Sequence, residues 1–301
     1  MYTYSFSKEE QEYLETYKLS KYERPSVATD MAIFSIMEEG QRDNFRKLQK
    51  KALKLLMVKR AEHPFKDMWA LPGGFCRPDE DVCETAKRKL YDETNVKDAY
   101  LSLVGVFGDV GRDPRGWIVS NTFLALVDGN ECDIHPGNDI GEARWFSISL
   151  QETSVDKEVF EDAVRVETEY KLSLICEEAD ERLCAKIKEH KQFANYHESV
   201  RYEIEECEGI AFDHAKLILY SLLYLRKNVE NDFKVGFDLV PETFTLTQLQ
   251  NAFELVLDKP LLAANFRRKV NDYVIETEQI IEGAGHRPAK LFKRNIKEFY
   301  K

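Results

Sequence analysis

Glu80, Arg88, Asp92 and Glu93 fall within one short stretch of this 301-residue chain, and together they are the side chains best suited to act on a phosphorylated molecule. The segment Asp81–Thr94 contains neither Pro nor Gly and favours a helix. Positions 89, 92 and 93, at i, i+3 and i+4, then share one helix face. Carboxylates at three such positions hold hard divalent cations, and a magnesium ion held there neutralises a diphosphate and polarises the attacked phosphorus, with water as nucleophile. The first of the three is Lys89, which removes a ligand and repels a metal, and Asp92 is one methylene shorter than a glutamate. Asp92 and Glu93 remain as magnesium ligands if the site is catalytic, with Glu80 and Arg88 in support. A pocket that holds a diphosphate better than it cuts one is the expectation.

Counting from Gly74, these residues follow the pattern G-x5-E-x7-R-E-U-x-E-E-x-G-U (U apolar) as far as Val96, with Lys89 at the first helix glutamate, Asp92 at the second and Asn95 at the glycine. The stretch resembles a degenerate Nudix box. ERPSVATD (23–30), KRAEHPFKDMWALPGGF (59–75) and FGDVGRDPRGWIVS (107–120) look like the ADP-ribose-preferring branch of that superfamily. The resemblance implies that Arg60, Arg112 and Arg115 meet phosphates or ribose, that Gly73 and Gly74 approach the ligand, and that Phe65 and Trp117 contact a base or wall the pocket. A loop ion pair is the competing reading for the arginines, and core packing for the aromatics.

The elements that must position these residues begin with strands at Val27–Ile36 and Lys54–Arg60. The helix 81–94 follows, then strands in LSLVGVFGDV, GWIVSNTFLALV and ARWFSI. Strand, strand, helix, strand, strand predicts an α/β domain, the α+β Nudix sandwich with a mixed sheet. Residues 151–208 read as an acidic insertion or extension, with strands in EYKLSLICE and SVRYEIEECE around a helical piece, Asp180–Phe193. AFDHAKLILYSLLYLRKNV carries an apolar stripe at Ala211, Ala215, Ile218, Leu219, Leu222 and Leu225 and predicts a bridging helix. His214 within it is expected to be buried and hydrogen-bonded. The expected division is 1–208 as the Nudix-like domain, 209–232 as the linking helix and 233–301 as the last domain, with the boundary near Asn228–Asp238.

In that last part Thr245 can cap a helix over TQLQNAFELVLD, Lys259-Pro260 turns, and PLLAANFRRKVNDYVI supplies a second helix with Leu262, Phe266 and Val270 at i, i+4, i+8. EQIIEGAGHRPAKLFKRN adds two strands around a basic tip, so the expectation is a winged helix-turn-helix. From Gly209 onward the chain resembles Nudix-related transcriptional regulators, bacterial proteins in which a degenerate Nudix domain senses ADP-ribose or a related ligand and a winged helix binds DNA. The resemblance implies a regulator within NAD metabolism, with a double-stranded operator as partner. Thr245, Gln248, Asn265, Arg267, Arg268, Lys269 and, in the wing, Arg287 and Lys290 become the DNA candidates. A two-fold operator calls for a homodimer.

The net charge of −11 argues against nucleic acid only as an average. Residues 151–210 hold eight Lys/Arg against seventeen Asp/Glu, whereas 259–301 hold ten against five. No apolar run approaches membrane-spanning length and the start lacks a basic and apolar leader, so a cytoplasmic protein without membrane contact is expected. The six cysteines form no CxxC pair and read as reduced thiols. Three functions compete: a ligand-responsive DNA-binding regulator, a magnesium-dependent ADP-ribose pyrophosphatase working through Asp92 and Glu93, and a winged unit serving only protein contacts.

Overall fold

A computed structural model describes residues 5–39, 50–129, 132–134, 140–281, 289–299 and 301. The chain opens with α1 (Lys8–Thr16), capped by Ser7, and then enters the central sheet. Its strands are β1 (Ser26–Glu38), β2 (Lys51–Arg60), the short β3 (Trp69–Ala70) and β4 (Gly73–Phe75), then, after α2 (Val82–Thr94), β5 (Tyr100–Phe107), β6 (Ile118–Leu126), β7 (Ile140–Val159), β8 (Ala163–Cys176), β9 (Glu181–Ala194) and β10 (His197–Glu208). The order is β10-β9-β8-β7-β2-β1-β6-β5, with β3 on β2 and β4 on β1. Only β1 and β6 run parallel among the pairings, so the sheet is mixed as expected.

Strands at the centre of such a sheet are buried on both faces, and β1 shows why a near-continuous apolar run results. Met31 and Ile33 pack with Leu56, Phe123, Ala125 and the α2 residues Ala86 and Leu90. Ala32 and Phe34 turn the other way, into a cluster with Leu55, Met57, Leu124 and Leu126. That second face is covered by α3 (His214–Asn231), whose residues 215, 218, 219, 222 and 225 from the sequence stripe are all buried. The sheet curls around this helix: the ring of Tyr220 lies 5.1 Å from Phe107 on β5 and 4.5 Å from Tyr202 on β10, at the two ends of the strand order.

The expected helical piece at Asp180–Phe193 is strand β9, and the acidic region is an extension of the main sheet rather than a separate insertion. Leu183, Ala185, Ile187 and Glu189 are buried at every second position, a period-2 pattern hidden by Lys, Glu and Ala. Pairing to β8 and β10 on either side overrides that helix-favouring composition.

Beyond α3, a 3-10 stretch (Phe233–Leu239) leads to β11 (Thr243–Phe244), α4 (Leu246–Leu257), α5 (Ala263–Val270), β12 (Val274–Ile281), β13 (Ala289–Arg294) and α6 (Ile296–Phe299). The three strands pair in the order β11-β13-β12, giving the expected winged helix-turn-helix. The second helix is shorter than its sequence suggests: residues 271–273 form a 3-10 turn, Val274 already belongs to a strand, and Leu262 is the exposed N-cap, leaving Phe266 and Val270 as the anchors. Leu222, Leu225 and Val229 of α3 belong to the same apolar cluster as Phe237, Phe244, Leu249 and Phe253, so the winged unit shares its core with the sheet. None of the described helices is long and apolar enough to cross a membrane, and none of the six cysteines forms a disulfide.

Candidate ligand pocket and nucleic-acid interface

A cavity of about 430 Å³ opens where β1, β2, β4, α2, the loop 108–117 and the start of α3 meet. Seven Lys/Arg side chains line it, Lys59, Arg60, Arg77, Arg88, Lys89, Arg112 and Arg115, against the acids Asp30, Glu62 and Asp113. On a chain of net charge −11 such a concentration of cations selects an anion. Of the residues expected from sequence, Arg60, Gly73, Gly74, Arg88, Arg112 and Arg115 line the cavity. Phe65 and Trp117 do not. Phe65 sits behind the wall, its ring 4.6 Å from that of Phe212, and Trp117 is 58% exposed outside it.

Helix α2 is fixed locally. Asp81 and Glu84 form a reciprocal capping box at its start, and Asn95 at its end adopts φ 57°, ψ 13°. That left-handed conformation is one that glycine takes freely and asparagine tolerates, which accounts for Asn95 at the glycine position of the box. The three carboxylates of the box, Glu80, Asp92 and Glu93, each meet a cation. Arg88 Nε and Nη2 donate to both oxygens of Glu80, at 2.6 and 2.8 Å, which lowers the Glu80 pKa and raises that of Arg88. Asp92 lies 3.5 Å from Arg88, and Lys89 Nζ donates to Glu93 Oε1 at 2.9 Å. Glu93 is fully buried and its Oε2 has no hydrogen-bond partner. Burial raises its pKa while Lys89 opposes the rise. Glu80, Asp92 and Glu93 are not among the cavity-lining residues, and among the described residues no group of three or more His, Cys, Asp and Glu could hold a metal. With the Lys89 ammonium on Glu93 and Asp92 paired to Arg88, the donor set does not fit a catalytic magnesium.

The opposite wall is built from the loop 108–117 and the residues before α3. Trp69 N–H donates to Gly209 O at 2.9 Å and Ala211 N–H to Trp69 O at 2.8 Å, which pins the segment 209–214 beside β3. Phe212 lies at φ 54°, a conformation rare for a bulky residue. Its ring meets Arg60 at 4.8 Å and Arg115 at 5.3 Å, and Arg115 lies 5.4 Å from the ring of Phe75. Cations stacked on aromatic faces make a flat, partly charged surface suited to a base or phosphate. Burial and the charge of Arg115 lower the pKa of Arg60. Asp113 stays below its ordinary value despite burial, because the Arg115 side chain and backbone N–H both donate to it.

At the floor, Arg112 Nε and Nη2 donate to both oxygens of Asp213, at 2.9 and 2.8 Å, and Nη2 lies 3.8 Å from Asp30. Burial works against the Arg112 charge, but these acids more than offset it. Arg112 thus combines both sequence readings, an ion pair that also faces the cavity. His214 is buried and hydrogen-bonded as expected: Leu71 N–H donates to its Nδ1 at 2.9 Å. Burial lowers its pKa, with Asp30 and Asp213 pulling the other way. Asp30, Phe75, Arg77, Phe212 and His214 are lining residues absent from the sequence set. His214 carried a signal in AFDH, and Phe75 in LPGGF, but nothing local marked Asp30.

In the winged unit, Asn265, Arg267, Arg268 and Lys269 are exposed on α5, the second helix of the helix-turn-helix. Arg268 donates to Asn265 at 3.3 Å, and Lys269 Nζ lies 5.0 Å over the Phe233 ring. Lys290 on β13 pairs with Glu276 at 2.6 Å, and Arg287 lies outside the described residues. Thr245 and Gln248 instead close a capping box on α4, each side chain taken by the other's backbone N–H. Their side-chain oxygens therefore serve the helix start rather than standing free for DNA.

Comparison with known proteins places both halves. The NUDIX domain family matches residues 45–163, and the NrtR DNA-binding winged helix domain matches residues 236–293. The chain is 27% identical over 293 residues, 96% of its own length and 90% of the relative, to the ADPR responsive transcriptional repressor NtrR of Acinetobacter baylyi. Over 154 residues, half of the chain and 79% of the relative, it is 35% identical to the ADP-ribose pyrophosphatase of Methanocaldococcus jannaschii. The solved structure of Shewanella oneidensis NrtR complexed with a 27mer DNA superposes with a TM-score of 0.58 at 26% identity, covering 89% of this chain and 93% of the other.

Proposed function

We propose that this chain, which belongs to the Nudix superfamily and joins a Nudix domain to an NrtR-type winged helix, is an ADP-ribose-responsive DNA-binding repressor. The observation that carries the reading is a cation-rich cavity whose neighbouring carboxylates are neutralised in place, opening at the first residue of the helix that ends against the winged unit. Arg60, Arg88, Lys89 and Arg115 face the diphosphate, with Gly73 and Gly74 letting it approach the backbone. Gly73 has no room for a side chain, since a Cβ would lie 2.5 Å from Asp30 Oδ1 and 2.6 Å from Thr29 O. Asn265, Arg267, Arg268 and Lys269 meet the operator, with the wing residues Arg287 and Lys290 beside them.

We read 1–208 as the sensing unit, 209–232 as the link and 233–301 as the DNA-binding unit, acting as a homodimer on a two-fold site in the cytoplasm, in control of NAD metabolism. The link has a physical basis at both ends. His214, the first residue of α3, lines the cavity, and Arg226 near the other end donates to Val256 O at 3.0 Å and lies 3.5 Å from Asp258, tying α3 to the end of α4. A ligand shifts DNA affinity only by the difference between its affinities for the DNA-bound and free forms, and a tenfold preference is worth about 1.4 kcal/mol. The test is a mobility shift on the upstream region of the protein's own gene, where added ADP-ribose releases the DNA. Failure to bind DNA there in the absence of ligand refutes the reading.

A second reading is favoured by the 35% identity to an ADP-ribose pyrophosphatase. In it Asp92 and Glu93, with Glu80 and Arg88, retain magnesium-dependent hydrolysis, which requires the Lys89–Glu93 and Arg88–Asp92 ion pairs to open for the metal. Release of AMP from ADP-ribose, lost in Glu93→Gln, supports that reading; no turnover with magnesium or manganese excludes it.

A further inference from the structure

Asp30 stands out in a pocket otherwise made for anions. It is 8% exposed, and its Oδ2 accepts from Ser120 Oγ and lies 3.8 Å from Arg112. Its other oxygen, Oδ1, has no hydrogen-bond partner among the described residues and sits 3.9 Å from His214 Nε2. The tautomer of His214, itself 5% exposed, follows from its other nitrogen: Nδ1 accepts from Leu71 N–H, so in the neutral ring the proton is on Nε2. A donor and an acceptor thus face each other across a gap too wide for a direct hydrogen bond. An oxygen about 2.8 Å from each bridges that gap.

Resting on the reading of this cavity as a nucleoside-diphosphate site, we propose that Asp30 and His214 form a hydroxyl-reading pair at its floor. A pentose hydroxyl of the ligand donates to Asp30 Oδ1 and accepts from His214 Nε2–H. A carboxylate at that place repels a further phosphate and welcomes an alcohol, so the pair sorts anions that carry a sugar from those that do not. Ser120 and Arg112 hold the carboxylate from behind, and Gly73, the residue with no room for a Cβ against Oδ1, leaves that oxygen uncovered. His214 is also the first residue of α3, so the pair reads the ligand on the element that reaches the winged unit.

The test is calorimetric titration of the full chain with ADP-ribose and with inorganic pyrophosphate, which carries no sugar. His214→Asn keeps an acceptor for Leu71 N–H but ends short of the Nε2 position, and His214→Gln returns an amide N–H to it. His214→Asn is expected to weaken ADP-ribose about tenfold to a hundredfold while pyrophosphate changes less than about twofold, with partial recovery in His214→Gln. Asp30→Asn, which substitutes an amide for the free acceptor, gives the same selective loss from the other side and stands in if a His214 variant fails to fold. Equal losses for both probes, or an undiminished ADP-ribose affinity, overturn the pair while leaving the pocket assignment intact. A wild-type protein that binds pyrophosphate but not ADP-ribose overturns both.

Discussion

Replacing Lys89 by Met tests whether this lysine is the internal counterion of the altered box. Methionine keeps most of the stem that passes Gly74, whose Cβ position lies 3.5 Å from Lys89 Cδ, and removes only the charge. Glu93 has no exposed surface and no other ion-pair partner among the described residues, whereas the Lys89 side chain is 15% exposed. Removing one member of a buried pair costs about 3–5 kcal/mol, and the partial exposure of Lys89 puts this case at the lower end, about 3 kcal/mol. The loss depends on pH. Burial already holds the Glu93 pKa above its ordinary value, and losing Lys89 raises it further. A raised carboxyl stabilises the fold fully below its unfolded pKa of about 4.3, and that contribution is lost as pH rises through the folded value. The gap between wild type and variant should therefore be smaller at pH 5 than at pH 8, because a raised carboxyl is the more protonated at the lower pH. Thermal unfolding at both pH values measures it, and about 3 kcal/mol corresponds to about 5 °C or more at pH 8. Adding Glu93→Gln to the variant should remove most of its pH dependence. A melting gap of equal size at both pH values, or none at pH 8, refutes the assignment of Lys89 as the counterion.

Lys89→Glu restores three carboxylates to one helix face; magnesium at about 100 times its Kd then stabilises the variant by about 2.7 kcal/mol, read as a metal-dependent melting shift that wild type lacks. Arg267→Gln and Arg268→Gln should each weaken DNA across sequences and flatten the slope of log K against log salt by about 0.9 for each phosphate left without its cation, with ADP-ribose affinity unchanged by calorimetry. Arg226→Ala removes the tie from α3 to Val256 and Asp258, and the effect of ADP-ribose on DNA affinity should shrink about fivefold while each ligand alone still binds, as mobility shifts with and without ADP-ribose will report. Thr245→Ala should cost about 1 kcal/mol of stability by denaturant unfolding and leave base preference untouched, because its hydroxyl serves the helix start.

Helix α2 was legible in the sequence because its signal is local, an uninterrupted run without Pro or Gly; its cap at Asp81 and Glu84 came with the structure. Five of the six positions of the bridging stripe were legible for the same reason, since a period of 3.6 needs no distant partner to be seen, whereas Ala211 precedes α3 and packs with Val58 and Ala70. Strand β9 was not, because what makes Glu181–Ala194 a strand lies on β8 and β10, in residues whose pairing no local pattern announces. Half of the pocket was hidden likewise. The arginines stood out by chemistry, but Asp30 acquires meaning only when β1 brings it beside Arg112 and the start of α3 brings His214 to 3.9 Å from it. Gln248 shows the reverse: a polar side chain in a basic, helix-turn-helix context suggested a DNA role, and its amide oxygen also accepts from Thr245 N–H at the helix start.

Lys89 changes what binding energy in this pocket can do. A metal-built diphosphate site gains its positive charge from an ion that also activates water, so affinity and cleavage rise together. Here the charge is covalently fixed, and Lys89 directs part of it to Glu93, which rigidifies the helix face without supplying a nucleophile. What the ligand's charge contributes on the cationic rim is nearly the same whether or not the winged domains are on DNA, because Arg60, Arg88, Lys89 and Arg115 lie on the sheet, on α2 and in the loop before β6 rather than on α3. Uniform affinity of that kind shifts no equilibrium. Contacts at the floor reach the start of α3 directly, through Asp213 held by Arg112 and through His214 facing Asp30. On the sensing reading, affinity is therefore set at the rim and the response at the floor.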